Sequence, residues 1–243
     1  MSAVLGQSEP PRAHGRGGAR IAVADLRMEY DTRAGRVRAL AGITLEIEPG
    51  SSVAIVGPSG CGKSTLLGIL GGLEQPTSGE VRIDDQVISS MPEKRRADIR
   101  RSSFGFVFQA DNLQPFLTVS ENVSLQAMLA GASDDPDRVH SLLEALEVGS
   151  LGHRFPDQLS GGQRQRVAVA RALVHGPRVV LADEPTGSLD ANSSVRVVEL
   201  LLRLHRQEGT TLVVVTHDRA VAERMASVIE IRNGHLTAQE AHS

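Results

Sequence analysis

The sequence is poor in aromatic residues and in cysteine, and each shortage narrows what the protein can be. It contains no tryptophan, one tyrosine, five phenylalanines and one cysteine among 243 residues. The single cysteine, Cys61, excludes a disulfide within the chain and fits a reducing compartment. Hydrophobic residues still make up 40% of the chain, so aliphatic side chains must build the core. The lone Tyr30 needs an explanation of its own.

Three further absences exclude other classes of protein. No apolar run approaches the roughly 18 residues of a membrane-spanning helix, and the N-terminus lacks the apolar segment of a secretory signal. The net charge is −3, so no basic excess points to nucleic acid and we expect no nucleic-acid partner. Residues 1–18 are rich in Gly, Pro and Arg, which predicts a flexible N-terminal arm. Residues 19–243 are then expected to form a single domain.

The pattern of apolar residues predicts an α/β fold with a mainly parallel sheet. Short apolar runs that indicate buried strands alternate with amphipathic helical segments, which favours a parallel sheet covered by helices. Alternating stretches at 21–30 and 37–47 indicate an antiparallel β subdomain, and charged stretches within about 93–165 indicate an inserted helical subdomain. In the helix expected over 192–207, the residues predicted to face the sheet are Val195, Val198, Leu201, Leu202 and Leu204.

The strongest local motif is a glycine-rich loop between an apolar strand and a helix. Residues Gly57–Thr65, GPSGCGKST, match the pattern G-x-x-x-x-G-K-[ST], in which backbone N–H groups and a helix N-terminus bind phosphates. Lys63 is expected to contact the β- and γ-phosphates, and Ser64 to bind Mg²⁺. Cys61 is either a reactive thiol at a helix N-terminus or a small filler. The motif predicts a P-loop NTPase with a RecA-like core, and the residues expected to bind ATP are Gly57, Pro58, Ser59, Gly60, Cys61, Gly62, Lys63, Ser64 and Thr65.

Four polar residues follow apolar strands and are expected at one edge of the sheet. Asp183 ends the apolar run 179–182 and Glu184 follows it, whereas His217 ends the run TLVVVTH. Ligands of such sheets bind at the carboxyl ends of strands, so we expect Asp183 to bind Mg²⁺ and Glu184 to position or activate the attacking water. His217 is expected to contact the γ-phosphate, although a lone histidine is usually structural. Gln109 ends FGFVFQ and can bind Mg²⁺ or orient a water.

A second candidate phosphate cradle begins at Ser160, far along the chain from the first. Ser160 and Gln163 fit the S-x-x-Q capping box, which explains the start of a helix. Capping leaves Gly161 and Gly162 unexplained, since a glycine costs about 1 kcal/mol inside a helix. Bare backbone at a helix N-terminus suits an approaching phosphate, and the first loop already supplies donors for its own nucleotide. We therefore expect the second cradle to bind a nucleotide held by another chain.

Together these motifs resemble those of the ATP-binding subunits of ABC transporters, and the resemblance covers residues 20–236. It implies that LSGGQ is the family's signature motif, which completes the ATP site of the partner subunit in a head-to-tail dimer. A homodimer across ATP, or a heterodimer of two such subunits, is therefore expected. The residues that the resemblance places at the partner's ATP, including the D-loop aspartate, are Leu159, Ser160, Gly161, Gly162, Gln163 and Asp190.

The resemblance also implies roles at the chain's own site. It implies a Walker A motif at Gly57–Thr65 and a Walker B motif at Val179–Asp183, with ATP and Mg²⁺ as cofactors. Tyr30 falls where the family has an aromatic residue that stacks on adenine, although an aromatic packed at a strand edge is the alternative. The implied catalytic residues are Glu184, His217 and Gln109, and the implied metal ligands are Ser64, Gln109 and Asp183.

The function implied by the resemblance is ATP hydrolysis that powers a separate integral-membrane permease, from the cytoplasmic side and peripheral to the membrane. Within the family, the motifs resemble exporter-type subunits of lipoprotein release, macrolide or peptide export, and cell division. The segment 109–123 is expected to face the permease, and Gln114 departs there from the apolar residue of many relatives. One alternative is an ABC ATPase that drives a membrane-linked signalling or nucleic-acid-associated machine. Another is a metabolic kinase, which leaves LSGGQ unexplained.

Overall fold

The computed structural model describes residues 17–33, 35–132 and 135–241. The strands are β1 Ile21–Thr32, β2 Gly35–Ile47, β3 Ser52–Val56, β4 Ser78–Ile83, β5 Gln86–Val87, β6 Phe104–Val107, β7 Val179–Asp183, β8 Thr211–Val215, β9 Ser227–Arg232 and β10 His235–Ala241. The α-helices are α1 Lys63–Leu70, α2 Glu93–Ser103, α3 Val119–Leu129, α4 Pro136–Ala145, α5 Gly161–Leu173, α6 Ala191–Glu208 and α7 Arg219–Ala222. Within the described ranges, no helix combines the length and the apolar character needed to cross a membrane.

Most of the predicted N-terminal arm, residues 1–16, lies outside the described residues. The carbonyl groups of Gly17 and Gly18 accept hydrogen bonds of 3.3 and 3.0 Å from the guanidinium of Arg178. Arg178 precedes β7 and also pairs with Asp84, which lies between β4 and β5. One arginine therefore joins the start of the described chain to both sheets.

A six-stranded sheet forms the centre of the molecule, in the order β10-β9-β3-β8-β7-β6. The five strands from β9 to β6 run parallel, and β10 pairs antiparallel with β9. Strands β3, β7 and β8 are continuous apolar runs and are buried along almost their whole length. Such runs form parallel strands because both faces of the sheet are covered. The predicted mainly parallel α/β fold is confirmed.

A second, antiparallel sheet in the order β2-β1-β4-β5 covers one face of the central sheet. Its strands alternate buried and exposed side chains, as expected when only one face is packed. Ile21 and Ile43 share a core with Leu66 of α1 and with Ile55 and Val213 of the central sheet. The predicted antiparallel β subdomain is therefore confirmed, and it packs directly against the helix that follows the glycine loop.

Helices α3 to α6 pack on the opposite face of the central sheet. Val123 of α3, Leu142 of α4 and Val169 of α5 share one core with Val180 and Val214 of the sheet. The segment predicted as a helical insert contains α2, α3, α4 and the start of α5. It also contains β6, which is the edge strand of the central sheet. The segment is therefore anchored to the sheet through its own strand.

Helix α6 buries four of the five residues predicted to face the sheet. The fifth, Val195, is 43% exposed, so that prediction is wrong. Ser194 takes the buried position in the first turn, because it lies on the same stripe of the helix as Val197 and Val198. Val195 instead lines a surface cavity beside His217.

Candidate active site

Three neighbouring strands of the central sheet end at the candidate site. Strands β3, β8 and β7 lie side by side and run parallel, so their carboxyl ends share one edge of the sheet. Strand β3 leads into the loop 57–62, β7 ends at Asp183, and β8 is followed by His217. The register pairs both Ile55 and Asp183 with Val215. The glycine loop and the strand-end carboxylates are therefore brought to the same edge.

Glycines with positive φ shape the loop 57–62. The φ angles of Gly57, Gly60 and Gly62 are 151, 76 and 104°, which residues with a side chain rarely adopt. A Cβ on Gly62 would also lie 2.4 Å from the carbonyl oxygen of Ala39. Helix α1 begins directly after Gly62, and no described side chain caps it. The first N–H groups of α1 therefore suit a bound anion, as the sequence predicts.

Lys63 is the first residue of α1, and its side chain reaches back to the loop and is buried, with 8% of the residue exposed. Its ammonium group donates hydrogen bonds of 2.9 Å to the carbonyl oxygens of Gly57 and Pro58. A phosphate oxygen is a stronger acceptor than a carbonyl group, so this arrangement fits a phosphate ligand. Cys61 is 6% exposed and belongs to the hydrophobic core next to Gly57. Its burial favours the small filler over the reactive thiol.

Ser64 and Asp183 form the candidate metal site. The Ser64 hydroxyl donates a hydrogen bond of 3.1 Å to the Asp183 carboxylate. Burial raises the pKa of Asp183, and a bound dication would favour its charged form. These two oxygen groups fit Mg²⁺, which usually takes its other ligands from phosphate and water. The side-chain amide of Gln109 packs against Gly187 instead of joining this pair.

Glu184 has a backbone conformation that is unusual for a residue with a side chain. Its φ is 46°, and such strain tends to occur at functional sites. The backbone N–H of Glu184 donates to the carbonyl of Val215 at 2.9 Å, which fixes this geometry. The Oε1 atom lies 2.9 Å from Nδ1 of His217, whose side chain is 72% exposed. The Oε2 atom is buried and has no hydrogen-bond partner among the described residues, so it fits a water or a ligand.

Tyr30 lies half-buried at the side of the site, on β1. Its ring packs against the core beneath the antiparallel sheet. Its hydroxyl is bonded to Glu74, in the connection between α1 and β4, and lies close to Thr65 of α1. The structure therefore places Tyr30 next to the helix that carries Lys63 and Ser64. Glu74 was not predicted from the sequence as a residue of this site.

Ser160 caps helix α5 at the second candidate cradle. Its hydroxyl accepts a hydrogen bond of 3.2 Å from the N–H of Gln163, whose side-chain oxygen accepts one of 2.8 Å from the N–H of Ser160. The predicted capping box is confirmed. A Cβ on Gly162 would lie 3.1 Å from the Ser193 hydroxyl, whereas the nearest atom to a Cβ on Gly161 would lie 3.6 Å away. Packing within the chain therefore explains Gly162 but not Gly161.

Leu159 and Asp190 lie on either side of this cradle. Leu159 is buried in the core of the helical face. Asp190 is exposed, and its carboxylate caps α6 by accepting hydrogen bonds from the N–H and the hydroxyl of Ser193 at 3.0 and 2.7 Å. These bonds lower the pKa of Asp190. Asp190 thus has a structural role as a helix cap, and its predicted role toward a partner stays a prediction.

Helix α5 makes a set of polar contacts with the loop after β6 that were not predicted from the sequence. Gln165 is 2% exposed and donates to the carbonyl of Phe108 at 2.9 Å. Arg164 donates to the carboxylate of Asp111 and to the carbonyl of Leu159, each at 2.8 Å. The helix that begins at the second cradle is therefore bonded to the loop that follows Gln109.

Arg171 extends this connection and lies on the same face of α5, seven residues after Arg164. Its guanidinium donates hydrogen bonds of 2.8 and 2.6 Å to the carbonyl groups of Asp111 and Asn112. Burial lowers the pKa of Arg171. The signal that the sequence offered for the contact is the seven-residue spacing of Arg164 and Arg171, which places both on one face of α5.

A groove of about 490 Å³ runs between α2, β6 and α3, and is named the α2–α3 groove below. Phe104, Phe106 and Phe108 form part of its wall as a stack with ring centroids 6.0 and 5.8 Å apart. Gln114 lies in another part of the wall. None of the described lining residues is acidic, and three are arginines. The groove also contains the exposed apolar residues Leu73 and Leu129.

The buried lysine in a glycine loop, followed by a serine bonded to a strand-end aspartate, defines a P-loop nucleotide-binding protein. The family model for the ABC transporter matches residues 40–187. The chain therefore belongs to the ABC transporter family and is an ATP-binding cassette, as its motifs indicate. The predicted family is confirmed.

The relatives are of two kinds. The chain is 44% identical, over 218 residues, to the lipoprotein-releasing system ATP-binding protein LolD 1 of Rhodopirellula baltica, which covers 89% of this chain and 95% of that protein. It is 51% identical, over 203 residues, to the macrolide export ATP-binding/permease protein MacB of Brucella melitensis, which covers 82% of this chain. The chain spans 31% of the length of that MacB protein.

Solved structures support the same assignment. The dimeric post-hydrolysis structure of the ATP-binding cassette MJ0796, bound to ADP and Pi, matches with a TM-score of 0.84 and 39% identity. The match covers 91% of this chain and 98% of the other. The predicted P-loop cassette fold, with its antiparallel subdomain, is confirmed by this likeness.

Proposed function

We propose that the chain hydrolyses Mg²⁺-ATP between two copies arranged head to tail, and that this drives a membrane permease. The observation that carries the proposal is the backbone conformation of Glu184 and the surroundings of its carboxylate. This residue is strained at the end of β7, with one oxygen held by His217 and the other buried without a described partner. A carboxylate held in this way can orient an attacking water and accept its proton.

The phosphate-binding role rests on the loop 57–62 and α1. Their backbone N–H groups bind the phosphates, and Lys63 exchanges its two carbonyl acceptors for β- and γ-phosphate oxygens. Ser64 and Asp183 would hold Mg²⁺, and the resemblance implies that Gln109 joins them. Bound Mg²⁺ neutralises charge on the phosphates. Tyr30 stacks on the adenine.

The hydrolytic role rests on Glu184 and His217. The hydrogen bond from His217 Nδ1 to Oε1 fixes the direction of the Glu184 carboxylate, which leaves Oε2 for the water. His217 is mostly exposed, so its ring can also contact the γ-phosphate. Because Glu184 and His217 follow the ends of the neighbouring strands β7 and β8 by one and two residues, the sheet brings the two side chains close together.

The distance between the two cradles supports a dimer. Strand β6 lies three positions from β3 in the sheet, which is about 14 Å at the usual strand spacing. Helix α5 packs on β6, so the exposed Ser160 is directed to a different region from its own loop 57–62. The similar MJ0796 cassettes are dimers. We infer that Ser160 and Gly161, with Asp190 nearby, complete the ATP site of a second copy.

The α2–α3 groove is the surface that we assign to the permease. It carries exposed apolar residues, and patches of this kind mark interaction sites. The arginines of α5 bond its neighbouring loop to the helix of the second cradle, so a change in the dimer reaches the groove. The name of LolD refers to lipoprotein release and that of MacB to macrolide export. We propose that this chain powers the export or extraction of a lipid, lipoprotein, peptide or drug. The chain would then work in the cytoplasm, peripheral to the inner face of the membrane.

Light scattering on the Glu184→Gln variant tests the proposal. We expect the mass in solution to double with Mg²⁺-ATP and to stay that of one chain with ADP, because ATP is retained between the two copies. Glu223→Gln, which changes an exposed glutamate beyond α7, is the matched control and should hydrolyse ATP and remain a monomer at steady state. A Glu184→Gln variant that hydrolyses ATP at the unaltered rate would contradict the assignment.

A further inference from the structure

Tyr30 is tied through its hydroxyl group to two segments that follow the phosphate loop. The phenol donates a hydrogen bond to the carboxylate of Glu74, and the hydroxyl of Thr65 lies 3.4 Å from the phenol oxygen. Tyr30 lies on β1, Thr65 on α1, and Glu74 in the connection from α1 to β4. Three separate segments of the chain therefore meet at one phenol group.

Glu74 is itself held in place by α1. Its backbone N–H donates to the carbonyl of Gly68 at 3.3 Å, and a Cβ on Gly68 would lie 3.0 Å from Oε1 of Glu74. Glycine destabilises a helix relative to alanine, and here it leaves room for the carboxylate. Burial raises the pKa of Tyr30, and the hydrogen bond to Glu74 raises it further. The phenol therefore remains a donor to Glu74 at neutral pH.

We propose that Glu74 is a positioning residue for the nucleotide base, because it holds the Tyr30 ring in the orientation that stacks on adenine. The inference rests on the proposed function, in which Tyr30 is the stacking residue. A side chain that is ordered before the ligand binds loses less conformational freedom on binding. Thr65 follows Ser64 directly, so the same contact ties the base platform to the phosphate loop.

The test compares two ligands that differ only in the presence of the nucleoside. Calorimetric titrations of the full chain with ATP and with inorganic triphosphate, both with Mg²⁺, give a ratio of affinities from which general charge effects cancel. Glu74→Ala and Tyr30→Phe should each lower this ratio about 2- to 10-fold, as expected for one lost hydrogen bond. The double variant should lose no more than either single variant, because both remove the same bond.

Two further variants separate positioning from folding. Glu74→Gln keeps an acceptor for the phenol, so it should retain more of the preference for ATP over triphosphate than Glu74→Ala. If the alanine variant does not fold, the ratio measured for Glu74→Gln tests the role of Glu74. Glu80→Ala removes a carboxylate from β4, where Glu80 pairs with Arg82 and not with Tyr30. This charge-matched control should leave the ratio unchanged.

The composition of the chain supplies a spectroscopic signature. With no tryptophan and one tyrosine, all tyrosine emission comes from Tyr30. A carboxylate that accepts the proton of an excited phenol quenches its emission, so Glu74→Ala should brighten the emission of the nucleotide-free chain. ATP should then change this emission, whereas inorganic triphosphate should leave it nearly constant.

The outcomes separate this inference from the proposed function. An unchanged ratio in both Glu74→Ala and Tyr30→Phe, with ATP still bound, would overturn the role of Glu74 and leave the proposed function intact. An equal loss of affinity for ATP and for triphosphate would also overturn it, because Glu74 would then act on the loop and not on the base. Failure of the unaltered chain to bind either ligand would overturn both.

Discussion

Two adjacent glycines at the start of α5 illustrate what a single residue contributes to this protein. Gly162 lies so close to Ser193 that a Cβ would require a shift of a few tenths of an ångström, whereas Gly161 has space for a methyl group. Neither glycine has positive φ, so neither is required by the backbone. Gly161 therefore lowers the stability of the isolated chain, and no contact within that chain requires a glycine at this position. Its reason lies in the phosphate that we assign to this position.

This difference predicts a trade between stability and activity. Gly161→Ala should raise the free energy of unfolding by about 0.5–1 kcal/mol, because alanine favours the helix. It should also reduce ATP hydrolysis, because the methyl group blocks the partner's phosphate. Urea denaturation and a phosphate-release assay measure the two effects. Gly162→Ala is the matched control and should lose activity without the gain in stability. Full hydrolysis by Gly161→Ala would contradict the role of this residue.

At the scale of elements, helix α5 connects three parts of the molecule. It begins at the second cradle, packs on β6, and bonds along its length to the loop that follows Gln109. Arg171 contributes two of these links, because its half-buried guanidinium donates to two carbonyl groups. Arginine suits this position because its planar fork presents several donors at fixed angles, which lysine lacks.

Replacing Arg171 should therefore loosen the loop as well as lower stability. Arg171→Met should lower the free energy of unfolding by about 1–3 kcal/mol, because two carbonyl groups lose their partner. Arg171→Lys should lose less, since one bond can re-form. Arg219→Met, at an exposed position of α7, is the control. Chemical denaturation gives the stability, and hydrogen exchange over residues 108–114 should show faster opening. Unchanged exchange in Arg171→Met would show that the loop is held by other contacts.

For the whole molecule, the proposed function predicts that one chain holds only part of each ATP site. The phosphate loop, the metal pair and the glutamate lie at the ends of β3 and β7, whereas α5 packs against the edge strand β6. Two copies related head to tail would bring each half to its counterpart and form two equal sites.

Mixing two inactive variants tests this arrangement directly. Ser160→Arg should bind ATP but not hydrolyse it, because the arginine blocks the partner's site, and Glu184→Gln should be inactive at its own site. In a mixed dimer, the Ser160→Arg chain supplies an intact Glu184 and the Glu184→Gln chain supplies an intact signature motif. These two features meet at one site, whereas the other site lacks both. Equal mixing should therefore restore at most about a quarter of the unaltered activity, because random pairing makes half of the dimers mixed, each with one intact site, and ATP-held Glu184→Gln homodimers lower that share. A mixture that stays as inactive as its components would contradict the shared site.

The sequence by itself determined the motifs whose residues are close together along the chain. The loop Gly57–Thr65 and the capping box of Ser160 and Gln163 depend on residues a few positions apart, and short-range geometry fixes both. The apolar runs likewise predicted the parallel sheet, because only strands buried on both faces remain apolar throughout. The strand ends then placed Asp183, Glu184 and His217 at one edge.

Only the tertiary structure decided the contacts between segments that are distant along the chain. The bonds of Glu74 to Tyr30 and of Arg164 to Asp111 join residues 44 and 53 positions apart, and no local pattern records which side chains meet across such a separation. Val195 shows the same limit of prediction from local sequence. Hydrophobicity alone assigned the buried position to Val195, but the neighbouring Ser194 occupies it and Val195 is exposed. Side-chain identity predicts which groups can interact, whereas packing of the whole chain decides which of them do.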